Sequence, residues 1–187
     1  MQINSSEGFK IGNQHNLHFI TSTIVDWVDL FTRQAYRDII IDNFRFYQQQ
    51  RSLEVYAYVI MSNHLHFIVR QPEGQWKLSD TIRDFKKMTA KLIIERVLNE
   101  PESRRDWIIH RFQWNARQRN NRGAHQVWTD DNHPEELWSR EFFEQKCNYI
   151  HMNPVRACLV EEPQHWRYSS ASDLVNNTPL LKLHGWD

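Results

Sequence analysis

A chain of 187 residues, 40% hydrophobic and 25% charged, is long enough to bury a core and too apolar for general disorder. Its 23 Lys+Arg balance 23 Asp+Glu, which argues against a polycation that coats DNA by bulk charge. The five glycines (Gly8, Gly12, Gly74, Gly123, Gly185) spell no P-loop, dinucleotide turn or G-x-S-x-G elbow, so no nucleotide cofactor is expected, and Cys147 and Cys158 are too few for a disulfide framework or a cysteine zinc site.

No run of 18 apolar residues is present, so no membrane partner is expected. Met1 to Asn16 is polar and lacks the apolar stretch of a signal peptide, which makes a reducing cytoplasmic compartment the expectation. Both cysteines sit in apolar contexts and read as small buried residues.

Residues 17–25 are rich in β-branched and aromatic types and read as a strand. Residues 33–50 follow as a helix, with Ile39, Ile40, Phe44 and Tyr47 at helical spacing. Residues 53–61 form a second strand and 64–70 a third, joined by the turn chemistry of Ser62–Asn63. Residues 78–99 are a long helix with Ser79 as its N-cap, closed by Pro101. Residues 104–122 read as a basic, Trp-containing insert of helix plus loop. His125 to Trp128 is a candidate fourth strand, Asp130 to Pro134 a turn, and 139–153 a helix stopped by Pro154. This order predicts one α+β domain over residues 1–187, with helices on one face of an antiparallel sheet.

Chemistry concentrates in two places. His64 and His66, two apart on a strand, point to one face while Leu65 and Phe67 point to the core. Two neutral imidazoles on a rigid strand are half of a metal site, and also what a sheet's solvent face can display. Tyr149 and Asn153, four apart on a helix, share a face that continues through Lys146 and Phe142. Phe143, Cys147 and Ile150 define a separate apolar face for packing. By itself Tyr149 also fits an amphipathic helix with a packed ring and a wet hydroxyl.

Together these segments resemble a known family. Val59-Ile60-Met61-Ser62-Asn63-His64-Leu65-His66 is similar to the His-hydrophobic-His (HUH) motif of single-tyrosine transposases. Tyr149-Ile150-His151-Met152-Asn153-Pro154-Val155-Arg156 resembles the tyrosine helix of the REP-associated tyrosine transposase branch. Ile82–Lys87 and Trp166–Ala171 also resemble that branch, so the likeness spans about residues 16–172.

The resemblance implies a ferredoxin-like sheet with the histidines on a central strand. It also implies a metal-dependent endonuclease and strand transferase acting on single-stranded DNA beside a hairpin. By resemblance Tyr149 is the nucleophile, and His64, His66 and Asn153 are the metal ligands. A phenol is a weak nucleophile at neutral pH, and a divalent ion, Mg²⁺ or Mn²⁺, polarises the scissile phosphate. A 5′-phosphotyrosine preserves the phosphodiester energy, so rejoining needs no nucleotide. The chain is expected to act as a monomer or homodimer, with the tyrosine working in its own subunit or in a partner's. Cys158 stands where the motif usually has Gly, which implies an altered turn after the tyrosine helix.

The neutral total hides segregation. From Arg83 to Arg122 eleven Lys/Arg face five acids, a net of +6, whereas Asp130 to Glu144 carries a net of −5. Lys86, Lys87, Lys91, Arg104, Arg105, Arg111, Arg117, Arg119 and Arg122 are therefore the candidate DNA-binding residues, with Trp107, Phe112 and Trp114 interleaved for base stacking. The alternative at that segment is a solvated helix face with core tryptophans. Two further functions compete: a domesticated hairpin-DNA-binding protein with little mobilising activity, and a replication initiator or relaxase. The complete set of His64, His66, Tyr149 and Asn153 favours an enzyme.

Overall fold

The computed structural model describes residues 11–118, 123–130 and 133–186. Four strands form one antiparallel sheet in the order β2-β3-β1-β4, where β1 is His18–Thr23, β2 Glu54–Ile60, β3 His64–Arg70 and β4 Glu135–Glu136. The register places Thr21 opposite His66 and Thr23 opposite His64, so β1 and β3 share their faces residue by residue.

Helices α1 (Gln34–Arg51) and α2 (Leu78–Asn99) cover one face. Alternation sends Leu65, Phe67 and Val69 towards them, and all three are fully buried. Phe44 of α1 meets Phe67 at 5.4 Å between ring centroids and Phe85 of α2 at 4.6 Å. The antiparallel sheet with helices on this face is as read from the sequence. A third helix, α3 (Arg105–Gln118), follows α2.

Helix α4 (Arg140–Arg156) covers the opposite face, an arrangement the reading of helices on a single face leaves out. Its apolar stripe is the one expected: Ile150 is fully buried, and Phe143 meets Tyr56 edge-on at 6.0 Å. Ser139 caps its start, the hydroxyl accepting from the Phe142 N–H at 3.1 Å.

Several boundaries differ from the sequence reading. The helix does not stop before Pro154. Proline removes one donor, the one for the Ile150 carbonyl, and the helix continues to Arg156, after which the Ala157 N–H donates to Asn153 at 3.0 Å. The fourth strand is Glu135–Glu136, not 125–128. Residues 127–129 run beside the end of β1, with Val25 N–H donating to Val127 and Thr129 N–H to Thr23, but the turn at Val25–Trp27 ends the ladder there. Ser79 lies inside α2, whose N-cap is Lys77; the Gln14 side chain accepts from the Ser79 N–H at 2.9 Å instead. Cys158 is exposed, not buried, and its φ of 54° is a left-handed conformation that glycine adopts without a Cβ clash.

The C-terminal segment closes the outer edge of β2. Ile60 N–H donates to the Tyr168 carbonyl at 2.9 Å, the Ser170 hydroxyl bonds both backbone groups of Tyr58, and His184 N–H donates to Val55 at 2.9 Å. The run Trp166–Ala171, singled out by resemblance, thus does structural work. Ser170 Oγ also meets His151 Nε2 of α4 at 2.8 Å, which ties the tyrosine helix to the sheet.

Candidate active site

His64 and His66 project from β3 towards α4, with ring centroids 4.8 Å apart. Tyr149 descends from α4 and meets His66 edge-on at 5.2 Å. Phe19 of β1 completes the cluster, stacked on His66 at 5.4 Å and edge-on to Tyr149 at 5.9 Å. The strand period of two and the helix period of 3.6 therefore bring together the residues the sequence singled out.

Each imidazole is oriented through Nδ1. Asn63 spends its amide protons on the Trp27 carbonyl (3.3 Å) and the Asp29 carboxylate (3.1 Å), so its Oδ1 accepts from His64 Nδ1 at 2.7 Å. That bond puts the proton on Nδ1 and leaves the Nε2 lone pair for another partner. His66 Nδ1 lies 2.8 Å from the Thr21 hydroxyl, its cross-strand neighbour. Burial holds both imidazoles neutral. The His66 pKa is pushed down to about 3 by burial, then by His64 and Lys146, and that of His64 is lowered by burial.

Neutral imidazoles with oriented Nδ1 groups suit a divalent ion at Nε2. Among the described residues no group of three or more His, Cys, Asp and Glu is placed to hold a metal. Asn153 offers a third protein ligand by its chemistry. Its Nδ2 donates to the Tyr149 carbonyl at 2.9 Å, which leaves Oδ1 as a donor atom on the same helical face.

Arg156 brings a cation to the tyrosine, and Lys146 brings one to Phe19. The Arg156 guanidinium lies 5.6 Å from the centre of the Tyr149 ring. The Lys146 ammonium lies 4.5 Å from the centre of the Phe19 ring and is anchored by Glu135 at 2.7 Å. Sequence reasoning missed Phe19 and Thr21, and placed Lys146 on the tyrosine face and Arg156 in the tyrosine-helix motif without a role. The first two follow only from the β1–β3 register, which periodicity along one strand does not reveal.

The candidate DNA-binding residues do not converge on this cluster. Lys86, Lys87 and Lys91 of α2 line a groove of about 1120 Å³ with residues 124–130, across the sheet from the histidines, and the Lys86 ammonium donates to the Thr129 carbonyl at 2.7 Å. Arg105 caps the end of α2 through the Val97 and Glu100 carbonyls, and Arg104 holds Glu102 and the Asp29 carbonyl. Arg111 pairs with Asp26 at 3.7 Å, Arg117 is exposed in the last turn of α3, and Arg119 and Arg122 lie outside the described residues. No helix among the described residues is long and apolar enough to cross a membrane.

This architecture is shared with tyrosine transposases. The chain is similar to a solved REP-associated tyrosine transposase bound to a REP hairpin, with a TM-score of 0.61 at 18% identity over 96% of this chain and 92% of that one. It is also similar, at a TM-score of 0.43 and 15% identity over 76% of this chain and 95% of the other, to a putative transposase from Deinococcus radiodurans R1. Both are likenesses at low identity, and the first is one of fold. The sequence profile of the IS200-like transposases matches residues 13–117, more than half of the chain. The chain belongs to the IS200-like transposase family. The matched span contains both histidines and ends before α4, so it does not reach Tyr149. No curated protein sequence matches the chain.

Proposed function

We propose that this chain cuts and rejoins single-stranded DNA beside hairpins, with Tyr149 as nucleophile, and that it belongs to the REP-associated branch. The observation that carries this reading is the packing of the Tyr149 ring against His66, with His64 alongside.

The Tyr149 oxygen attacks the scissile phosphorus, forming a 5′-phosphotyrosine. The phenol proton is lost, and the departing 3′ oxygen takes up a proton to become a free hydroxyl. Attack by a 3′-hydroxyl on the phosphotyrosine reverses the bond exchange and joins strands without a nucleotide. His64 and His66 through Nε2, and Asn153 through Oδ1, would hold Mg²⁺ or Mn²⁺. Such an ion supplies Lewis-acid polarisation of the phosphate. Arg156 sets positive charge at the nucleophile, where the anionic phosphate must approach. The groove of Lys86, Lys87 and Lys91 offers cations to DNA backbone away from the scissile bond. The fold neighbour's hairpin ligand makes a hairpin the first DNA partner to test.

Incubation with hairpin-bearing single-stranded DNA and Mn²⁺, followed by a denaturing gel, should give a covalent protein–DNA band that Tyr149→Phe abolishes. A band that survives the substitution would overturn the nucleophile.

A further inference from the structure

Between β1 and α1 the chain turns at Val25–Trp27, where Asp26 and Trp27 both have a φ of 53°. Two successive left-handed residues without a glycine are strained, most of all with an indole at one of them. Burial does not offset the strain, because Trp27 is 66% exposed. The turn is held by polar bonds. Trp27 N–H donates to Ile24 at 3.1 Å, Asn63 donates to the Trp27 carbonyl, and the Asp26 carboxylate accepts from Asn115 of α3 at 2.9 Å.

The outcome is an exposed indole set edge-on to His64, with centroids 6.3 Å apart. Asn63 fixes both, because its amide holds the Trp27 carbonyl while its Oδ1 holds His64 Nδ1. Beyond Trp27, the Asp26–Arg111 pair leads onto α3. Trp107, Arg111 and Trp114 share one face there by spacing, both indoles are exposed, and the Arg111 guanidinium lies 5.7 Å from the Trp107 ring centre.

We propose that Trp27 is a base-stacking platform for the nucleotide next to the phosphate at His64, and that a single strand continues over the Trp107–Arg111–Trp114 face. The assignment of the phosphate to His64 rests on the proposed DNA-cleaving function. The occupant is single-stranded DNA, because exposed indoles need open base faces, which a duplex hides, and the interleaved arginine matches a phosphate backbone. A strained turn locked to the histidine positions the first base relative to the reacting phosphate.

The test uses the full chain without divalent metal, so that no cleavage occurs, and fluorescence anisotropy with labelled dT12 and an abasic dodecamer. Wild type should prefer dT12, Trp27→Ala should weaken dT12 binding about tenfold with little change for the abasic strand, and Trp27→Phe should keep most of the preference. Equal binding of the two strands by wild type, or a Trp27→Ala loss that is absent or equal on both, would overturn the platform. The Tyr149→Phe gel separates the two ideas. A protein that shows the base preference yet forms no adduct refutes the cleavage chemistry and leaves the platform standing.

Discussion

The two faces of the sheet divide packing from chemistry. On the face of α1 and α2, Leu65, Phe67 and Val69 are fully buried among aromatic and aliphatic side chains. On the face of α4, the same strand contributes His64, His66 and Ile68, and only Ile68 joins the apolar cluster. One strand thus serves both purposes by alternation alone. The difference teaches where tolerance to substitution should lie. Changes at Leu65, Phe67 and Val69 act on stability, and changes at His64, His66 and Tyr149 act on reactivity with smaller effects on the fold.

The largest expected effect is on the packing face. Phe67→Ala should destabilise the protein by about 3–5 kcal/mol in urea unfolding. Tyr149→Phe, at a side chain 38% exposed, should change stability by less than about 0.5 kcal/mol. A Tyr149→Phe protein that melts as early as Phe67→Ala would break the division.

A smaller effect is expected one shell out from the histidines. Thr21→Val keeps the shape and removes the oxygen that meets His66 Nδ1. Mn²⁺ affinity measured by calorimetry should fall by roughly 10–100-fold. Unaltered affinity would mean that Thr21 does not orient the ring.

Acid sharpens the comparison, because burial on the α4 face lowers the pKa values of His64 and His66. The pKa of His66 lies far below the unfolded value near 6.5, so below that pH the unfolded chain binds the extra proton. Stability should therefore fall as pH drops from about 6.5 towards 3, by up to about 1.4 kcal/mol per unit for His66. The lowered pKa values of His64 and His151 act in the same direction. Thermal melts at pH 7, 6 and 5 should show a flatter dependence for His66→Gln, and an unchanged slope would place the acid sensitivity elsewhere.

A modest gain in stability is expected at the end of α4. Cys158→Gly should relieve the left-handed backbone and stabilise the chain by about 1 kcal/mol, raising the melting temperature by about 2–4 °C. A lower melting temperature would show that the thiol's contacts outweigh the strain.

Much of this was legible in the sequence where periodicity was strong. The bounds of α2 and β3 agree with those read from the apolar pattern, and α1 and β2 agree within a residue. Two charged residues, Glu135 and Glu136, carry no strand signal, and their pairing with Phe19 and His18 is set by the tertiary fold. Periodicity put His64 and His66 on one strand face and Tyr149 on one helix face, and only the family resemblance implied that the two meet. Thr21, Phe19 and Trp27 were not readable, since the first two depend on strand register and the third on a strained turn. The basic run was visible, but its geometry was not: Arg104 and Arg105 serve local backbone and carboxylate partners, and Lys86, Lys87 and Lys91 face away from the histidines.

The closed edge of β2 bears on assembly. An open strand edge invites a strand from a second molecule. Here the chain supplies its own substitute, as residues 168–170 and His184 take the outward backbone groups of Val55, Tyr58 and Ile60. While that segment stays in place, two copies cannot merge their sheets across β2, and any pairing of molecules has to use another surface.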